Sequence, residues 1–104
     1  MENLEEKKEQ VEEAVYLSVE VYNYLKPQFL TICGTEEREY DGVRFKYLVL
    51  TAENNIKLLK RINKKDQNSL KLIEAKHGTI QNKKVKVIKD IYRGRDILYV
   101  IPYE

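Results

Sequence analysis

Thirteen basic residues and only three acidic ones crowd the stretch from residue 54 to residue 95, a local net charge of +10. Two groups stand out in it. Lys57, Lys60, Arg61, Lys64 and Lys65 fall within one amphipathic-looking segment, and Lys84, Lys86, Lys89, Arg93 and Arg95 fall within a second segment that alternates like a hairpin. Cations that neutralise phosphates release condensed counterions, so clusters of this kind bind nucleic acid in a salt-dependent way. Tyr40, Tyr47, Tyr92, Tyr99 and Tyr103 lie on or beside expected strands. Exposed rings there would stack on unpaired bases. Arg93 and Arg95 are the sharpest candidates, because a β-ribbon can enter a groove. Plainer readings stand beside these. Tyrosine is abundant throughout the chain, and the basic stretch is answered by residues 1–25, which carry seven acids and two bases, net −5. The two parts can neutralise each other within or between subunits.

Other candidate chemistry is sparser. Glu74-Ala75-Lys76 would put a carboxylate and an ammonium on one face of a strand. With an acid upstream this is similar to the core with which restriction-type nucleases hold Mg²⁺ and activate water. Asp66 is the only near acid before it, and the gap is short for that family. Cys33 and His77 would form a nucleophile and base only if the fold brought them together, and an apolar strand is the ordinary setting for such a cysteine. The chain has no Walker motif, no GxGxxG and no serine elbow. One cysteine excludes an internal disulfide and a multi-cysteine zinc site. No cofactor is expected.

These residues sit in a chain of 104 residues, the size of one domain spanning 1–104. Net charge is only +2, and 42% hydrophobic content is enough for a core. Lys, Ile, Asn and Tyr make up 38 of the residues and have AT-rich codons, so genome composition accounts for much of the bias. No apolar run approaches a membrane span. MENLEEKKEQ lacks the apolar stretch of a signal peptide, so the expected compartment is a reducing cytoplasm.

The elements expected to position the candidates are these. Residues 2–25 read as one long helix, capped by Asn3, favoured by early glutamates and ended by Pro27. Its surplus of apolar residues, among them Val11, Val15, Val19, Tyr22 and Leu25, points to a homodimer through helix 2–25. Residues 28–52 read as a hairpin turning at Asp41-Gly42, in a register that opposes Glu39 to Arg44, Glu37 to Lys46 and Cys33 to Leu50. Residues 53–65 read as a basic amphipathic helix, because Ile56, Leu59 and Ile62 recur at helical spacing. Residues 66–68 read as a turn and 69–76 as a strand. The C-terminus reads as a second hairpin with a three-residue Arg93-Gly94-Arg95 loop, opposing Ile91 to Ile97 and Val87 to Ile101.

The fold expected is therefore α+β: a long N-terminal helix on a mainly antiparallel sheet of about five strands, in the order α-β-β-α-β-β-β. The stretch 43–103, with Tyr92-x-Gly94-Arg95 ahead of its final strand, loosely resembles barrel-like single-strand-binding domains. The function expected is non-enzymatic binding of nucleic acid through the basic helix and hairpin. The alternatives are an interaction protein that dimerises through its N-terminal helix, and a small metal-dependent nuclease built on Glu74 and Lys76.

Overall fold

A computed structural model of the chain describes residues 14–53 and 55–103. In chain order the elements are β1 (Val15–Tyr16), α1 (Val19–Leu25), β2 (Leu30–Tyr40), β3 (Val43–Thr51), β4 (Lys57–Arg61), α2 (Lys64–His77), β5 (Lys84–Tyr92) and β6 (Arg95–Pro102). All six strands belong to one sheet, ordered β1-β4-β3-β2-β5-β6 and curled into a half-barrel. The β1–β4 pair is parallel and every other pair antiparallel. The described residues are thus mostly sheet with two short helices, not the helix-led α+β domain expected.

The expected helix over 2–25 is the first correction. Residues 2–13 lie outside the described residues. Within the rest, Val15 and Tyr16 are strand, and the helix covers only Val19–Leu25. Ser18 marks its start, accepting the backbone N–H of Val21 at 3.2 Å as an N-cap. The β-branched and aromatic residues of 15–16 suit a strand better than a helix. Among the described residues there is accordingly no long helix through which the expected dimer would form. The end before Pro27 is as read: Lys26 turns left-handed at φ 44 and its N–H closes on the Tyr22 carbonyl.

The first hairpin turns at Asp41-Gly42 as expected, both residues at positive φ as a type I′ turn requires. Glu39 opposes Arg44 and Glu37 opposes Lys46. Cys33 does not oppose Leu50. The register shifts between Ile32 and Gly34, and Leu50 faces Ile32. This bulge reverses the side-chain alternation. Without it Leu30 and Ile32 would face solvent; with it both are fully buried.

The next two elements are exchanged relative to expectation. Residues 57–61 are a strand, and residues 64–77 a helix. Leu58, Leu59 and Lys60 are buried in succession, the pattern of a strand covered on both faces, which helical spacing of Ile56, Leu59 and Ile62 imitates. The helix begins at Asn63, in the segment read as its end. Asn63 Oδ1 accepts the N–H of Asp66 at 2.9 Å, and Asp66 Oδ2 accepts the N–H of Asn63 at 3.0 Å, a reciprocal capping box. The helix buries only Asp66, Ser69 and Ile73, so its inner stripe is mostly polar and invisible to a hydrophobic pattern.

That polar stripe has a definite task. It covers the free edge of β6. Asn63 Nδ2 donates to the Leu98 carbonyl at 3.1 Å, the Val100 N–H donates to Asp66 Oδ1 at 2.8 Å, and Ser69 Oγ donates to the Val100 carbonyl at 2.7 Å. Side chains thereby replace a neighbouring strand and satisfy backbone groups that an open edge would leave unpaired. Lys60 Nζ, nearly buried, completes the cluster at 2.5 Å from Asp66 Oδ2 and 3.0 Å from the Arg61 carbonyl.

The second hairpin has a two-residue loop. Tyr92 opposes Arg95, Ile91 opposes Asp96 and Val87 opposes Val100. The three-residue loop was expected so that Ile91 and Ile97 would share a face. Ile91 instead projects at the tip, 68% exposed, and the buried pairing lies further down, at Val85, Val87, Leu98 and Val100. Arg93 occupies the first turn position at φ 53 and Gly94 the second at φ 76. A long side chain is disfavoured in that left-handed conformation, which asparagine tolerates. Arg93→Asn should therefore raise the unfolding free energy by about 0.5–1 kcal/mol in urea denaturation. A lower stability would contradict the turn assignment.

Inside the curl, Leu30, Ile32, Leu48, Leu50, Leu58, Val85 and Val100 are fully buried. Val19, Val21, Tyr22 and Leu25 of α1 and Ile73 of α2 pack against them. On the sheet's other face Leu59 and Tyr47 are also buried, and the residues around them reach the surface.

Candidate nucleic-acid interface

Strand alternation decides what that outer face carries. Leu48, Leu50 and Leu58 point inward, so Phe45 and Tyr47 on β3 and Leu59 and Arg61 on β4 point outward. Beyond the bulge, Glu36, Arg38 and Tyr40 on β2 share their side, opposite Tyr47, Phe45 and Val43 in turn. Tyr16 on β1 joins them beside Leu59. Four strands thus bring four aromatic rings and two arginines to one surface.

The surface is ordered by specific contacts. The Tyr16 ring lies 5.7 Å from that of Tyr47, and the Tyr40 ring 6.1 Å from that of Phe45. The Arg61 guanidinium sits 4.0 Å over the Phe45 ring, a cation–π contact. The Tyr16 and Tyr40 hydroxyls hydrogen-bond each other. Arg38 Nη1 donates to the Tyr16 hydroxyl at 3.3 Å, and its Nε donates to Glu36 Oε2 at 2.7 Å. Tyr47 is buried beneath, whereas Tyr16 and Tyr40 are each 44% exposed. Two rings therefore stand open to solvent with their hydroxyls paired and an arginine beside them.

The electrostatics follow from these contacts. The Glu36 carboxylate, hydrogen-bonded to Arg38, holds the guanidinium firmly charged. The hydrogen bond from Tyr16 lowers the Tyr40 phenol below its ordinary range, and the nearby Arg38 acts in the same direction. The same pairing with Tyr40 raises Tyr16. Tyr40 is the first of the pair to ionise, stabilised by the Tyr16 proton. An ultraviolet titration should show one early phenol step. Tyr16→Phe removes the donor and should move that step upward, toward the usual phenol range. A titration identical in the two proteins would contradict the pairing.

The residues expected from the sequence are divided by the fold. Arg61 joins the outer face, and Lys57 lies exposed at the start of the same strand. Lys60 is buried against Asp66 and is removed from the surface. Lys64 and Lys65 are exposed in the first turn of α2, with Lys65 Nζ 4.5 Å over the Tyr99 ring. Lys84 and Lys86 are exposed on β5, and Lys84 Nζ sits 4.4 Å over the Phe29 ring. Lys89 is exposed on the opposite parity and reaches Asn23 Oδ1 at 3.4 Å. Arg93 and Arg95 flank the hairpin tip, with Arg93 5.2 Å over the Tyr92 ring. The set is not one face but two groups, one on β4 and one around the β5–β6 hairpin. Tyr16 and Arg38 were not among the candidates. Tyr16 was read within a helix, and nothing in a lone Arg38 signals its neighbours; the Asp41-Gly42 register could have placed Arg38 beside Phe45.

Glu74 and Lys76 lie on α2, where residues two apart point in different directions, so the strand geometry of the nuclease reading is not there. Asp66, its upstream acid, is fully buried and engaged by Lys60 and two backbone N–H groups. Among the described residues no group of three or more His, Cys, Asp or Glu is placed to hold a metal ion. Cys33 Sγ lies 3.1 Å from Thr51 Oγ1, while His77 is exposed at the end of α2. No helix among the described residues is long and apolar enough to cross a membrane. Compared with protein-family models, curated proteins and solved structures, the chain matches none.

Proposed function

We propose that the protein binds single-stranded nucleic acid without chemically changing it, across the outer face of β1–β4. The observation that carries this reading is the ring pair Tyr16 and Tyr40, half-exposed beside Arg38, with Arg61 stacked on Phe45 next to them. Aromatic faces take successive bases without regard to sequence, and arginines track the backbone. Connectivity supports the same reading by fold-level analogy. From β2 to β6 the chain makes a three-strand meander, a helix and a hairpin, with β2 pairing both β3 and β5. Small partly open barrels of the oligonucleotide- and oligosaccharide-binding kind bind across their second and third strands and between two hairpin loops. Here those strands are β3 and β4, and the loops are Asp41-Gly42 and Arg93-Gly94.

Photocrosslinking with an oligonucleotide of 5-iodouridine tests the placement. Crosslinked peptides should contain Tyr16, Tyr40 or Phe45. Crosslinks confined to α2 would contradict it.

A further inference from the structure

A groove remains that the nucleic-acid reading does not use. It lies between the C-terminal half of α2 and the root of the β5–β6 hairpin, and its volume is about 660 Å³. That size is typical of small-molecule sites, roughly 300–1,000 Å³. Its walls are of two kinds. Leu72, Ile73 and Tyr103 supply apolar surface, and Lys76, Lys83 and Lys84 supply positive charge; no lining residue is a carboxylate among those described.

Three features point to a ligand. Leu72 is a helix leucine left 63% exposed beside Ile73, which is buried. The Tyr103 ring is fixed before any ligand arrives: Phe29 meets it edge-on at 5.4 Å, and the Tyr103 N–H donates to the Lys84 carbonyl at 3.1 Å. A preset ring loses little freedom on binding. The lysines are the third feature. Lys76 lies in the last turn of α2, where the helix dipole favours a cation, and Lys84 rests over the Phe29 ring, whereas Lys83 lies beyond the helix. Like charges gathered around a concave apolar surface raise the local potential and favour an anion there.

We propose that this groove binds a small organic phosphate carrying one flat ring, of the nucleotide class. The ring would lie on Tyr103 and Leu72, and the phosphate against Lys83, Lys84 and Lys76. The site is separate from the outer face of β1–β4 and stands whether or not that face binds nucleic acid.

Calorimetric titration of the whole chain with adenosine 5′-monophosphate, adenosine and inorganic phosphate tests the proposal. The monophosphate should bind with Kd below about 1 mM, and each of its two parts at least about tenfold more weakly. Lys83→Ala should weaken the monophosphate by about tenfold, the effect of one charge-assisted hydrogen bond. Tyr103→Ala should weaken the monophosphate and adenosine but not inorganic phosphate. Leu72→Asp, an exposed change that spares the fold, should abolish binding of the monophosphate. Arg38→Ala, on the other face, should leave all three titrations unchanged. The proposal is overturned if the monophosphate gives no heat at about 10 mM. It is equally overturned if monophosphate and inorganic phosphate bind alike and Tyr103→Ala and Leu72→Asp are without effect.

Discussion

Asp66→Ala should lower the unfolding free energy by about 3–5 kcal/mol, the usual cost of removing one partner of a buried ion pair. Asp66 is fully buried and holds Lys60 Nζ, the N–H of Asn63 and the N–H of Val100. Its loss strands an ammonium that is nearly out of solvent, opens the capping box of α2 and frees an edge group of β6. Small domains have only about 5–15 kcal/mol in all, so the variant should be close to unfolding at ambient temperature. Lys60→Met should cost less, because the carboxylate keeps two backbone donors and the new side chain suits the core. Urea denaturation followed by circular dichroism measures both. An Asp66→Ala loss below about 1 kcal/mol would show that the cluster does not hold α2 to β6.

Tyr16→Ala with Tyr40→Ala should weaken binding of single-stranded oligonucleotides by roughly tenfold for each ring removed, the scale of base–aromatic stacking. The hydroxyl pair and the rings make separable contributions. Tyr16→Phe with Tyr40→Phe deletes the hydroxyl contact and keeps both rings, so affinity should stay within about threefold of the parent. Both rings are about half exposed, and neither belongs to the main core. The unfolding midpoint should therefore hardly move in the phenylalanine pair. Fluorescence anisotropy of a labelled oligonucleotide reads the affinities. If the phenylalanine pair binds as poorly as the alanine pair, the surface works through its hydroxyls and not by stacking.

What was legible in the chain was local chemistry with one clear meaning. Asp41-Gly42 fixed the first turn and with it the Glu39–Arg44 and Glu37–Lys46 pairs. Pro27 ended the first helix where it was expected to end. What escaped was decided by partners distant in sequence. Lys57–Arg61 reads as a basic helix alone, and becomes a strand because β1 and β3 flank it. Residues 64–77 show little apolar stripe because much of their inner face pairs with backbone, through Asp66 and Ser69, and only Ile73 and Leu70 meet the core. The bulge at Ile32–Gly34 leaves no strong mark beyond one glycine, yet it chooses which half of β2 is buried. The outer-face site shared this fate. Its members stand on four strands, so Tyr16, Arg38, Phe45 and Arg61 meet only once β1, β2, β3 and β4 are in register. The basic residues were visible as a group, but the fold buries Lys60 and divides the others.

The proposed binding of single-stranded nucleic acid, across the outer face of β1–β4 and at the Arg93-Gly94 loop, is measured most directly by affinity for labelled single-stranded oligonucleotides across a series of salt concentrations. Binding is expected at roughly 50 mM salt and should weaken linearly in a log–log plot, with a slope of about −0.7 for each phosphate neutralised. Arg93→Glu with Arg95→Glu should make that slope shallower by about 1.4 if both arginines contact phosphate. Absence of any binding of single-stranded DNA or RNA by the wild-type protein at roughly 50 mM salt would overturn this function.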